Sequence, residues 1–457
     1  MLRPAGEFNV SLRSRVTLCL TLVIVLSFAG VTLGQFEARD PGVRSGPAAA
    51  GGMRADLPSN YQQFFEAALL RFQEVNSVSG NLVGSDSQGL GPRFNGDSCA
   101  GCHIQPAVGG TSPALNPQIA FASVFGASNK IPSFIQPDGP VREARFVRNP
   151  NGTSDGSVHD LFTITGMADA GACSIAQPDF EDAVENRNVI FRIPTPLFGL
   201  GLVEEISDDS LAANMESRRP EKLANGIHGT FNRSGNDQTI TRFGWKAQNK
   251  SLMIFAGEAY NVEMGVTNEL FPNERPPAPP SCRLTTITED GPQFTLMNFG
   301  PSDFASDASN FAAFMRLSAP PTPAAPTPST TNGQAMFARV GCDLCHTSSI
   351  NTGVTSSITG DVNVPVPAFS DFELHHMGEN LQDGVTQGLA GPDQFRTAPL
   401  WGLGQRIFFL HDGRTKDLLE AIRQHASPGS EANGVIARFH ALTEPQKQDL
   451  LNFLRSL

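Results

Sequence analysis

The sequence predicts a mainly α-helical chain of two domains, the first enlarged by a loop-rich insertion with a few short strands. Three observations predict it. Cys99-Ala100-Gly101-Cys102-His103 and Cys342-Asp343-Leu344-Cys345-His346 repeat one C-x-x-C-H pattern, each with a phenylalanine, Phe94 or Phe337, five residues ahead of it. Phe65, Leu69 and Phe72 recur at helical spacing before the first copy, and Leu450, Leu454 and Leu457 do so after the second. Between the copies, Pro320 to Ser329 is nearly all Pro, Ala, Thr and Ser, a composition suited to a semi-extended linker.

The repeated motif carries the chemistry. Two thiols three residues apart can form thioethers with the two vinyl groups of a haem, and the adjoining histidine then serves as the proximal iron ligand. Cys99, Cys102 and His103, and likewise Cys342, Cys345 and His346, are therefore expected to hold two covalently bound c-type haems. The competing reading is a single zinc tied by both Cys pairs. It requires the pairs to converge across more than two hundred residues, and it leaves both histidines unexplained.

A chain of 457 residues with 40% hydrophobic residues can bury more than one core. Its 44 Gly and 34 Pro point to many turns and long connections. The net charge of -12 argues against a nucleic-acid surface and suits a small basic or dipolar redox protein as electron donor.

Taken in order, residues 1–34 read as a signal peptide or an anchor: Arg3, Arg13 and Arg15 precede a largely apolar run from Val16 to Gly34. A cleaved signal means export, to the periplasm or beyond the cell. An uncleaved one would hold the chain at a membrane, since roughly 19 apolar residues can just span a bilayer. Cys19 lies within this run as a passenger. Setting it and the four motif cysteines aside leaves Cys173 and Cys282, which an exported chain can join in a disulfide. Closing a loop of about 110 residues contributes on the order of 4 to 5 kcal/mol in the chain-entropy estimate.

Residues 35–58, rich in Gly, Ala and Arg, read as a linker, and Ser59 as the cap of the helix carrying Phe65, Leu69 and Phe72. This opens an N-terminal haem domain over 59–318. Within it, Ile119-Ala120-Phe121-Ala122 and Val189 to Ile193 are short apolar runs among Gly, Pro, Asn and Asp, as expected of short strands and irregular loops. His159 and His228 lie here too, each either a sixth haem ligand or an ordinary loop residue. The Pro-rich linker covers 319–331. The C-terminal domain, 332–457, closes with a helix started by Thr443 and Pro445, which is expected to lie near the second motif.

Further stretches resemble one family. Phe191 to Glu204, Arg242-Phe243-Gly244-Trp245-Lys246-Ala247-Gln248 and Met264 to Asn268 are followed by Leu374 to Gly378, Arg396 to Gly404, Phe409 to Arg414 and Glu420 to His425. In content and order they resemble the di-haem oxidoreductases related to bacterial di-haem cytochrome c peroxidases, over about residues 60 to 457. The resemblance implies two cytochrome c-like domains facing each other, with electrons passing from the C-terminal haem to a reactive N-terminal haem that meets an oxidant such as hydrogen peroxide. It also implies roles for single residues. Glu263 in Val262-Glu263-Met264 matches the acid that shuttles protons between peroxide oxygens, with Glu258 the runner-up. Trp245 matches a tryptophan between the haems, a relay or simply a core residue. His425 matches the sixth ligand of the C-terminal haem, in competition with Met377 and His375.

His411 in His-Asp-Gly-Arg is expected to hold a turn, or a haem propionate together with Arg414. The peroxidases' calcium-binding Thr-x-Pro is replaced here by Arg406 and Phe408, which speaks against calcium. No histidine follows His103 at the spacing of the peroxidases' distal ligand, so the N-terminal iron is either open or ligated from the insertion. The alternative to an enzyme is a di-haem electron carrier. The two differ at the iron, because catalysis needs a vacant or displaceable sixth position and a carrier does not.

Overall fold

Helices carry the architecture, and the strands are brief: among the described residues they pair as five two-stranded sheets. The computed structural model describes Met1 and residues 36–285, 288–290, 305–355 and 359–457. The expected signal or anchor lies outside the described residues but for Met1. Among those described, no helix is long and apolar enough to cross a membrane. Residues 39–457 form one unit, separate from Met1–Ala38.

Around the first motif stand α1 (Ser59–Gln73), the single turn α2 (Cys99–Cys102), the antiparallel pair β1 (Glu143–Phe146) and β2 (Val189–Arg192), α3 (Leu252–Met264) and α4 (Asp307–Leu317). In the apolar stripe of α1, Phe65 and Phe72 are buried and Leu69 is half-buried, with Phe72 against Phe314 of α4 at 4.6 Å and Phe65 against the same ring at 5.6 Å. Its start differs from expectation. Pro58, not Ser59, stands at the cap, and no side chain caps the helix. A proline already held near helical φ begins the turn without one. Ser98 does cap α2, accepting from the Gly101 N–H at 3.1 Å, and so fixes the turn on which Cys99 and Cys102 lie.

Within the insertion the two apolar runs part ways. Val189–Arg192 is a strand, as expected, whereas Ile119–Phe121 belongs to a helical turn over Gln118–Phe121. There the Asn116 side chain accepts from the Gln118 N–H (2.9 Å) in the turn before the helix, whose cap position is Pro117. Cys173 and Cys282 are joined in a disulfide, as the cysteine count suggested.

Around the second motif lie α5 (Pro328–Val340), the antiparallel pair β3 (Leu374–His376) and β4 (Gln394–Arg396), α6 (Leu418–Arg423), α7 (Asn433–His440) and α8 (Glu444–Ser456). The expected linker is shorter than its composition implied. Pro328 is the first residue of α5, Thr327 caps it, and Thr330 completes a capping box, so Pro328 to Thr331 are helical. Proline costs nothing at a first helical position, because its missing N–H would have no helical partner there. Thr443 and Gln446 build a second capping box at the start of α8, where the sequence placed a helix start.

Helices α5 and α8 cross in close contact at Gly333. A Cβ there would stand 1.9 Å from the Asp449 carbonyl oxygen and 2.7 Å from Cβ of Phe453. Below this crossing, Phe337 meets Phe453 at 5.5 Å and faces the His346 ring at 6.3 Å. Gly341, left-handed at φ 89°, then turns the chain out of α5 directly into Cys342.

Candidate functional site

Each C-x-x-C-H motif opens on its own cavity. Empty space of about 1090 Å³ lies over Cys99, Cys102 and His103, and about 1560 Å³ over Cys342, Cys345 and His346, mouths included. The two Cys pairs do not converge, so a single shared zinc is ruled out by their placement.

Both motif histidines are aimed by the backbone. His103 Nδ1 lies 3.0 Å from the Gly110 carbonyl oxygen, and His346 Nδ1 lies 3.0 Å from that of Phe369. A carbonyl accepts only from N–H, so this contact makes Nδ1 the protonated nitrogen of each neutral ring; the Thr195 carbonyl also reaches the His103 ring. Burial lowers both rings to a pKa of about 4, which keeps them neutral. Neutral, oriented imidazole beside two thiols at an apolar cavity is a donor set that fits haem.

Beyond the motifs, the cavities differ. Among the described residues, the N-terminal cavity has His103 as its one histidine and a carboxyl pair opposite the apolar walls, Glu263 of α3 and Glu143 of β1. The two side chains are hydrogen-bonded to each other. Asn95 donates from Nδ2 to Glu263 Oε2 at 2.7 Å, and Arg145 Nε donates to Glu143 Oε1. Burial and the adjacent Glu143 hold Glu263 well above the usual carboxylate range. Burial also pushes Glu143 upward, but Arg145, the hydrogen bond with Glu263 and Arg192 outweigh it and leave Glu143 below that range. One proton thus rests on Glu263, and one negative charge on Glu143.

Glu258, the alternative acid, does not line the cavity and accepts from the Asn249 side chain. Neither does His159, stacked on Phe146 at 3.8 Å and bonded to Asp155 at 2.8 Å. His228 is also absent from its walls.

The C-terminal cavity is lined by four histidines, His346, His375, His411 and His425. His425, just after α6, has Nδ1 2.8 Å from the Ala421 carbonyl oxygen, the same arrangement that orients the motif histidines. Burial lowers its pKa, so it too is neutral with Nε2 free. His375 is unlike it, because Nδ1 contacts Glu431 at 2.7 Å and Nε2 contacts Asp371 at 3.1 Å. With an acid at each nitrogen, His375 is less free than His425 to meet a metal. Met377 lines the same cavity. His411 stacks on Phe395 at 4.3 Å, while Arg414 binds Asp412 (2.7 Å) and the Asn380 carbonyl (2.6 Å).

Trp245 lines both cavities, with Ile193 and Pro194 as its companions on the shared wall. Its Nε1–H donates to the Ile193 carbonyl at 2.9 Å, and its ring meets that of His411 edge-on at 6.4 Å. The structure thus places Glu263, Trp245 and His425 on the cavity walls, and beside Glu263 it places Glu143, Arg145 and Asn95, which sequence reasoning did not single out. The strand pattern Glu143-Ala144-Arg145 put an acid and a base on one face, a signal too common to be read alone.

The profile of a family described as "di-haem oxidoreductase, putative peroxidase" matches residues 145–457. Among solved structures, the Kuenenia stuttgartiensis hydrazine synthase is 20% identical over 35% of this chain and 56% of that one, with a TM-score of 0.22. A MauG-like protein associated with microbial copper homeostasis is 22% identical over 35% of this chain and 54% of that one, with a TM-score of 0.24. The chain thus spans about half the length of each. No curated protein matches it.

Proposed function

Because the chain belongs to the di-haem oxidoreductase family, we propose that it is an exported, peroxidase-like enzyme with two covalently bound c-type haems. Cys99, Cys102 and His103 would hold one, and Cys342, Cys345, His346 and His425 the other. The haems supply stored electrons and, on the N-terminal side, an iron that meets a small oxidant such as hydrogen peroxide, while a small redox protein delivers electrons to the C-terminal side. The observation that carries this reading is the contrast between the cavities: a second oriented imidazole in the C-terminal one and, among the described residues, a proton-sharing carboxyl pair but no second histidine in the N-terminal one.

In this reading the chain's own residues divide the work. Glu263 gives a proton and Glu143 receives one, so the pair can move a proton between two oxygens without drawing on bulk water. Arg145 and Asn95 hold the two carboxyls in register. Trp245 bridges the shared wall as the electron relay. The leader-like N-terminus and the Cys173–Cys282 disulfide support export.

Electron paramagnetic resonance of the oxidised holoprotein, made in a host with c-type haem maturation machinery, tests the proposal. One high-spin and one low-spin haem, with reactivity toward peroxide, is the expected result. Two low-spin haems inert to peroxide would make the chain an electron carrier.

A further inference from the structure

Two buried cations at the C-terminal cavity have no acid beside them. Arg396, the last residue of β4, and Arg406 are 8% and 9% exposed. Arg396 donates from Nε to the Gly244 carbonyl at 2.9 Å and from Nη1 to the Thr397 carbonyl at 3.3 Å. Arg406 donates from Nη2 to the Pro399 carbonyl at 3.0 Å. All three acceptors are neutral. Among the described residues no carboxylate forms an ion pair with either guanidinium, whereas the comparably buried Arg54, Arg192, Arg242 and Arg455 each have an aspartate. Asp371 acts on Arg396 only at a distance and is itself engaged by His375 at 3.1 Å.

Isolated buried charge is unfavourable, and two like charges near each other are more so. Burial holds both arginines down to a pKa of about 10, and their mutual repulsion adds to this for Arg396. An arginine so placed is best explained by an anion that joins it. Both side chains line the C-terminal cavity and a smaller one that reaches Trp245. The rest of the large cavity's wall is mainly apolar, so an anion there must belong to a molecule that is otherwise hydrophobic.

We propose that Arg396 and Arg406 bind the propionate carboxylates of the haem held in the C-terminal cavity, an assignment that rests on the two-haem reading above. A haem has two such carboxylates on an apolar macrocycle, and the planar guanidinium fork matches a carboxylate in geometry and charge. Arg396 also donates its backbone N–H to the Trp245 carbonyl at 2.9 Å, so the pair ties the charged edge of the cofactor to the wall shared by the two cavities.

The test uses the holoprotein and the variants Arg406→Gln and Arg396→Gln. Pyridine haemochrome analysis and intact mass first count the haems; a chain without a C-terminal haem would overturn the two-haem reading and this assignment with it. With both haems present, resonance Raman spectra should show the propionate bending band of the C-terminal haem shifted in each variant. Its midpoint potential should fall, because a lost cation favours the ferric state, while the N-terminal haem keeps its bands and potential. Arg406→Lys keeps the charge but loses the fork, so it should shift the band while largely preserving the potential, and it serves where a Gln variant does not fold. Variants with both haems whose propionate bands and potentials equal those of the wild type would overturn the proposal.

Discussion

Glu143 and Glu263, from a strand and a helix more than a hundred residues apart in sequence, meet as hydrogen-bonded carboxyl groups on one wall of the N-terminal cavity. Between them they hold one proton and one charge, because Arg145 stabilises the anion on the first and burial disfavours it on the second. A single buried carboxylate must accept a proton before it can donate one, whatever the order the reaction needs. A pair can do both.

The pair sets a pH dependence. In the wild type Glu263 keeps its proton well above the ordinary carboxylate range, so the peroxide reaction should hold its rate until alkali removes that proton. Glu143→Gln removes the like charge that helps raise Glu263, so the alkaline limb of the rate profile should move to lower pH. Glu263→Gln should cut peroxide-dependent oxidation of a reduced dye by about tenfold or more, within the usual range for general acid-base catalysis. Glu258→Gln should leave it near wild type. Stopped-flow rates across pH check all three, and an unmoved limb in Glu143→Gln would dissociate Glu143 from the proton transfer.

His425→Ala should convert the low-spin C-terminal haem to high-spin and change its potential, since axial ligands move haem potentials over a range of about 0.8 V. Met377→Leu should leave the low-spin signal in place. Paramagnetic resonance of the two variants decides between them, and the opposite pattern would make Met377 the ligand.

Trp245→Phe keeps an aromatic ring on the shared wall but gives up the more oxidisable indole and its bond to the Ile193 carbonyl. Electron equilibration between the haems, followed after rapid photoreduction, should slow severalfold with haem content and both spin states unchanged. An equal rate would return Trp245 to a packing role.

Gly333→Ala places a methyl group against the Asp449 carbonyl and forces α5 and α8 apart. Overpacking of this kind costs about 1–3 kcal/mol. Urea unfolding of the holoprotein should show the loss, and since the crossing lies next to Phe337 and Phe453, the absorption of the C-terminal haem should broaden with it.

Much of this was legible in the residues. The two motifs named their cavities, the stripe Phe65, Leu69, Phe72 named α1, and Thr443 with Pro445 named the start of α8. These are local signals, each complete within one or two turns. Pro328 was misread for a physical reason: composition alone reports that proline disfavours helices, whereas Thr327 and Thr330 around it form a cap that makes it a starting residue. Ile119 to Phe121 was misread because so short an apolar run looks the same in a strand and in a helical turn. Glu143 was invisible because its meaning depends on α3 arriving beside β1, and no spacing along the chain encodes that.

The bond from Trp245 to Ile193 has a further consequence. An amide carbonyl is a hydrogen-bond acceptor but not a base at neutral pH, so an indole that loses an electron there has nowhere to send its Nε1 proton. The oxidised ring stays a cation, and refilling it takes an electron alone. With the roles proposed above, protons would be exchanged at the carboxyl pair and electrons would cross at the indole, so the two kinds of traffic would run on separate residues and neither would have to wait for the other.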